Sequence, residues 1–180
     1  MVDIHTHILP DLDDGPATVE ESLEMARIAL AAGTRTIVAT PHVLNCMNLA
    51  NNSVIHTKFK DFQSLLRQEV PGLNLLLGTE IYFQPHLSQY ANYDSATING
   101  SRRYMLVEFP MGDIPKGYER ELADMARYSL TPVIAHPERN ALVIGKPALA
   151  GKMVEAGALL QMNAGSLTGD FGSTIKKVAQ

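Results

Sequence analysis

Short apolar runs alternate along this chain with amphipathic stretches, and five of the runs end at or just before a histidine or a glutamate. Val2 to His5 leads into His5-Thr6-His7. Thr36 to Ala39 leads through Thr40-Pro41 to His42, and Leu73 to Leu77 through Gly78-Thr79 to Glu80. Tyr104 to Glu108 carries its own glutamate, and Thr131 to Ala135 delivers His136. Ala158 to Met162 is one more strand candidate. Between the runs lie helix signals. Thr18-Val19-Glu20-Glu21 is a capping box that opens a helix with Val19, Leu23, Ala26 and Leu30 on one face, stopped at Gly33. Further helices are expected over Val54 to Val70, Lys116 to Ser129 and Pro147 to Ala156. Such βα units fold as a mostly parallel sheet or barrel with helices outside, and functional residues gather at the carboxyl ends of the strands. The expectation is an α/β chain with His7, His42, Glu80, Glu108 and His136 on one rim.

The length of 180 residues suits one domain, spanning 1–180, with a sizeable core. The net charge of −4 and the lack of a basic run argue against nucleic-acid binding. Arg102-Arg103 and Lys176-Lys177 read as solvated surface. Cys46 is the one cysteine, so no intrachain disulfide can form, which fits a reducing compartment. The start, Met-Val-Asp-Ile-His, has no basic segment leading into an apolar one, and no apolar run is long enough to span a bilayer. No membrane insertion is expected, and the cytoplasm is the simplest location.

Taken singly, each ligand-type residue has a plain explanation. His5-Thr6-His7 puts two imidazoles on one side of a strand, which suits a divalent first-row metal but also occurs on surface strands. His42 could be a turn histidine. Glu80 and Glu108 end apolar strands, where an unpaired carboxylate is costly to bury and wants a cation. Pro137 breaks the strand and leaves His136 at its tip. The conjunction is what the plain explanations fail to cover: four of six histidines fall at strand ends in one register. His56 and His86 read as ordinary surface residues. Asp11, Asp13 and Asp14 form an acidic loop, two of them expected to be solvated, while one could complete a metal sphere. Arg139 offers a guanidinium fork suited to a phosphate, or a salt bridge with Glu138. Cys-X5-Arg, Gly-X-Ser-X-Gly and a Walker phosphate loop are all absent.

The motifs Asp-Ile-His-Thr-His, Thr-Pro-His, Gly-Thr-Glu, Val-Glu-Phe and His-Pro-Glu-Arg resemble those of the polymerase-and-histidinol-phosphatase (PHP) superfamily. Within it, Asp3-Ile-His-Thr-His-Ile-Leu-Pro, Leu-Asp-Asp-Gly-Pro and Glu-Glu-Ser-Leu-Glu-Met-Ala are most similar to the bacterial protein-tyrosine phosphatases of capsule and exopolysaccharide gene clusters. The resemblance covers essentially the whole chain. It implies a distorted (β/α)7 TIM-like barrel and up to three divalent metals, commonly manganese, with zinc, iron or magnesium as alternatives. It implies that His5 and His7 hold a first metal, and that Glu80 bridges to a second held by Glu108 and His136. Asp14 and His42 would hold a third, and Arg139 would bind the phosphate.

The implied activity is phosphotyrosine hydrolysis by a metal-activated water, on the phosphotyrosine tail of a bacterial tyrosine kinase. A small-molecule phosphomonoesterase, such as a histidinol phosphatase, is the alternative enzyme. A truncated metal-binding protein without activity is the alternative non-enzyme. In the family a final strand ends in Asp-X-His, giving one ligand to the first metal and one to the third, and a second arginine follows. Residues 1–180 hold no such motif, so the expectation is a barrel lacking its last strand. An exposed sheet edge would then favour low stability or association into oligomers.

Overall fold

The structure, a computed structural model, describes the backbone of residues 1–180 and every side chain except those of residues 50 and 51. Strands and helices alternate as β1 (Val2–Thr6), α1 (Val19–Ala31), β2 (Thr36–Ala39), β3 (His42–Val43), α2 (Ser53–Glu69), β4 (Asn74–Leu77), β5 (Glu80–Tyr82) and β6 (Tyr104–Glu108). There follow α3 (Tyr118–Arg127), β7 (Thr131–Ala135), α4 (Ala141–Gly145), α5 (Ala148–Glu155), β8 (Leu159–Gln161), α6 (Ala164–Thr168) and α7 (Ser173–Ala179). Every strand pair is parallel, in the orders β1-β2-β4 and β3-β5-β6-β7-β8.

The two ladders run into each other. Only Thr40-Pro41 separates β2 from β3, and only Gly78-Thr79 separates β4 from β5. Gly78 N donates to Ala39 O at 2.9 Å and Glu80 N to Pro41 O at 3.0 Å, which carries the pairing across the break. The sequence suggested one strand and then a ligand at each of these places. Instead His42 and Glu80 begin new strands of their own and pair directly in register. Pro41 has no N–H to donate, so the ladder pauses there. Among the described residues β1 and β8 are the outermost strands, and no backbone ladder joins them.

The core lies mainly outside the sheet. Ile81, Met105, Val107 and Ile134 pack against Leu122 and Met125 of α3, while Ile37 and Leu75 pack against Ala26 of α1 and Phe62 and Leu66 of α2. On the other face Leu106, Val133 and Ala135 form a small cluster with Ile4. Helix α1 has the expected capping box, Thr18 Oγ1 accepting from Glu21 N at 3.2 Å and Glu21 Oε2 from Thr18 N at 3.2 Å. Its buried stripe is narrower than the periodicity suggests, because Val19 lies at the exposed first turn. Helix α3 starts at Tyr118 rather than Lys116, because Gly117 takes a left-handed conformation at its N-cap. Helices α4, α6 and α7 are too short for a periodic signal and were not expected from the sequence. No helix of the described residues is long and apolar enough to cross a membrane.

Candidate metal centre

Glu80 is the hub. It opens β5 at the middle of the sheet, and its side chain is 1 % exposed. Its Oε1 lies 3.0 Å from His136 Nε2, and its Oε2 lies 3.1 Å from both His5 Nε2 and His7 Nε2. His42 Nδ1 stands 3.3 Å from the same Oε2. Glu108, at the end of β6, is 3.8 Å from His136 Nε2 through one oxygen and 3.8 Å from His42 Nδ1 through the other. Asp14 reaches in from the loop after β1, its Oδ1 3.3 Å from His7 Nδ1 and 3.5 Å from His42 Nε2. All seven of these side chains and Arg139 line one cavity of about 880 Å³.

The structure thus gathers every ligand-type residue that the sequence singled out. Three sets bring one ligand atom per residue within 4.8 Å of one another: His5, His7 and Glu80; His7, Asp14 and His42; and His42, Glu80 and Glu108. The first set is the one in which the resemblance would place a first metal. The other two differ from the groupings it implies, since His7 joins Asp14 and His42, and His42 stands beside Glu80 and Glu108 where His136 was expected. His136 nevertheless keeps its contacts of 3.0 Å and 3.8 Å to those two carboxylates.

Local backbone devices bring these groups together. Gly15 lets the acidic loop lie on β1, because a Cβ there would collide with the His7 carbonyl. His136 adopts φ 31° and ψ 52°, a left-handed conformation uncommon for a residue with a side chain. Strain of that kind costs about 1–3 kcal/mol and persists where surrounding contacts enforce it.

Electrostatics separate the two glutamates. Burial alone would raise the Glu80 carboxyl, but hydrogen bonds from His136, His5 and His7 outweigh it and hold it well below the ordinary carboxylate range. Glu108 is raised, first by burial and then by the negative charge of Glu80. Burial also disfavours a charged His7, yet hydrogen bonds to Asp13 and Glu80 lift it to about 10. Asp13 in turn is lowered: burial opposes ionisation, and the His7 hydrogen bond wins. The metal-free cluster therefore holds a proton on His7 at neutral pH.

The donor set suits divalent cations. His7 Nδ1 donates to Asp13 Oδ2 at 2.7 Å, which turns its Nε2 toward His5 Nε2, 3.3 Å away, and toward Glu80. Lone pairs of nitrogen and oxygen so placed need a proton or a cation between them. His42 Nδ1 is buried and makes no hydrogen bond despite its closeness to Glu80. An imidazole nitrogen orphaned in this way is shaped for a metal rather than for a protein donor.

Sequence reasoning did not distinguish Asp13 from its neighbours. It orients the His7 imidazole and also accepts from the backbone N–H of His42 at 3.0 Å, so it ties one ligand's ring to the other's main chain. Asp11 is surface-exposed, with Lys58 Nζ 3.3 Å from its carboxylate. Arg139 forms no pair with Glu138. Its guanidinium lies 4.6 Å from the Phe171 ring centre, while buried Glu138 accepts from Asn163 N at 3.1 Å and Ser166 Oγ at 2.6 Å. Cys46 is fully buried, and burial pushes its thiol up to about 12, so it is no nucleophile.

Comparison with known proteins points the same way. YwqE of Bacillus subtilis, a tyrosine-protein phosphatase, is 38 % identical over 178 residues, covering 98 % of this chain and 69 % of YwqE. CapC of Staphylococcus aureus is 36 % identical over 180 residues, covering 99 % of this chain and 70 % of CapC. A chain from the crystal structures of YwqE and of CpsB from Streptococcus pneumoniae, described as unique metal-dependent tyrosine phosphatases, superposes with a TM-score of 0.90 at 38 % identity. It covers 99 % of this chain and 72 % of that one. The family model for capsular polysaccharide synthesis, CpsB/CapC, matches residues 1–180, and the chain belongs to that family.

Proposed function

We propose that residues 1–180 form a single PHP-type phosphoesterase domain that hydrolyses phosphotyrosine with divalent metals, manganese first among them. In this reading the sheet is that of a distorted (β/α)7 barrel, of which these residues supply all but the last strand. The unpaired outer edges of β1 and β8 support it. His5, His7 and Glu80 would hold a first metal, and Glu80, Glu108 and His136 a second. Asp14 and His42 would contribute to a third.

The observation that carries the reading is the convergence of four imidazoles on one buried carboxylate, Glu80. Metals bound there supply a hydroxide-strength nucleophile near neutral pH and neutralise phosphoryl charge. The chain's own residues do the rest. Glu80 keeps its negative charge at the base of the cavity, and Glu108 stands beside it as a second carboxyl ligand for the cations. Arg139 offers parallel N–H donors to two phosphoryl oxygens. Its contact with Phe171 fixes the plane of that fork. A tyrosine leaving group, with a pKa of about 10, departs without a strong general acid.

The substrate in this reading is the phosphotyrosine tail of a bacterial tyrosine kinase in capsule or exopolysaccharide synthesis, met in the cytoplasm. The names of the relatives and the family support phosphotyrosine as the substrate and capsule synthesis as the setting. The test is an assay with manganese on a phosphotyrosine peptide beside histidinol phosphate. Faster turnover of the peptide is expected, and a clear preference for histidinol phosphate overturns the substrate assignment.

A further inference from the structure

Gln161 lies at the end of β8, an outermost strand, yet its side chain reaches two others. Its Oε1 sits 3.2 Å from the backbone N of His136, past β7, and 2.8 Å from His5 Nδ1 on β1. Its Nε2 donates to Asn163 Oδ1 at 3.0 Å. A backbone N–H can only donate, so the amide atom facing His136 must be the oxygen. That fixes the orientation of an amide whose two ends otherwise look alike. The imidazole nitrogen beside the same oxygen must then carry a proton. His5 is therefore protonated at Nδ1, and Nε2, the nitrogen facing Glu80 and His7, is the one a metal would take.

We propose that Gln161 is a positioning residue that sets the tautomer of His5 and secures the left-handed turn at His136, so that ligands on two separate strands depend on one amide. The proposal rests on the metal-centre reading above. Two features make the amide matter. No backbone ladder joins β1 to β8, so this side chain bridges a gap that the sheet does not. His136 holds an unfavourable backbone conformation, and Gln161 accepts from its N–H. The amide is itself braced: Asn163 N donates to Glu138 Oε1, which also accepts from Ser166 Oγ. The frame leads back to the residue before Arg139.

The test uses zinc and manganese as probes and needs no turnover. Nitrogen NMR of the zinc-loaded chain should show His5 protonated at Nδ1 and ligated through Nε2, assigned by its loss in His5→Asn. Gln161→Leu removes the acceptor and should weaken manganese binding by about 10–100-fold, the range seen when such supporting partners are lost. Gln161→Glu keeps an acceptor and should stay within about threefold of the parent, matching the leucine variant's loss with rescue. Unchanged manganese affinity in Gln161→Leu overturns the proposal. So does equal loss in both variants, which would mark a packing role, or His5 ligated through Nδ1 in the parent. Should Gln161→Leu fail to fold, the parent's NMR tautomer and the glutamate variant still decide. A parent chain that binds neither metal sinks the metal-centre reading instead, and the two failures are told apart.

Discussion

The middle and the margins of the sheet hold their ligands in different ways. Strands β5, β6 and β7 are flanked on both sides, and apart from the ligand Glu108 and the strand ends their residues are buried. There the register of the ladders places Glu80 and Glu108, and close packing leaves little room to shift. Strands β1 and β8 have one free edge each and are half-buried to exposed throughout. Their functional side chains are held by other side chains: His5 by Gln161, and His7 by Asp13. The difference teaches that the same cluster is built rigidly at its hub and by individual hydrogen bonds at its rim. Damage at the hub should be general, and damage at the rim specific.

The hub should give the largest effect. Glu80→Gln removes the charge on which four imidazoles converge, and phosphotyrosine turnover should fall by about 10³-fold, or about 4 kcal/mol, in a manganese-dependent peptide assay. Retention of more than a tenth of the rate would break the idea of a hub. Leu106→Ala, in the buried middle of β6, should cost about 2–5 kcal/mol in urea unfolding. Arg139→Ala, just past β7, should lower kcat by about 10²-fold with little change in metal content, since it is a phosphate ligand alone in this reading.

The margins predict subtler outcomes. His7 has a folded pKa of about 10 against an ordinary 6.5. Its pairing therefore stabilises the metal-free chain fully below about pH 6.5, and that contribution is lost as pH rises toward 10. Urea midpoints in EDTA should fall across this window. With manganese present the proton is displaced, so the decline should be absent at pH 8. A flat profile in EDTA would show that His7 holds no extra proton. Leu160→Ala, on half-exposed β8, should cost less than about 1 kcal/mol. A cost equal to that of Leu106→Ala would erase the distinction between middle and margin.

What the sequence revealed follows the same division. Glu80, Glu108 and His136 were legible because a polar ligand-type residue ending an apolar strand is anomalous, and anomalies show in one dimension. The parallel βα order was legible from the alternation of periods. Asp13 was not, since three aspartates in one loop look alike until Gly15 folds the loop onto His7. Gln161 was invisible because a neutral amide has no ligand chemistry of its own; its role exists only where three strands meet. Strand β2 ends where the sequence indicates, but the two-residue β3 after Pro41 is too short to carry an apolar run of its own. Short α6 and α7 carry no periodic signal, and nothing local betrayed them.

The buried thiol of Cys46 has a consequence for how such an enzyme can be silenced. A phosphatase that attacks with a thiolate is disarmed when peroxide converts that sulfur to a sulfenic acid. Here the one sulfur of cysteine is sealed in the core and stays protonated, and the attack is assigned to water. Thiol-directed reagents and mild peroxide should find no cysteine to poison, whereas a chelator should stop the reaction outright. The vulnerability of this chain lies in its supply of metal, and the redox state of its thiol is irrelevant to it.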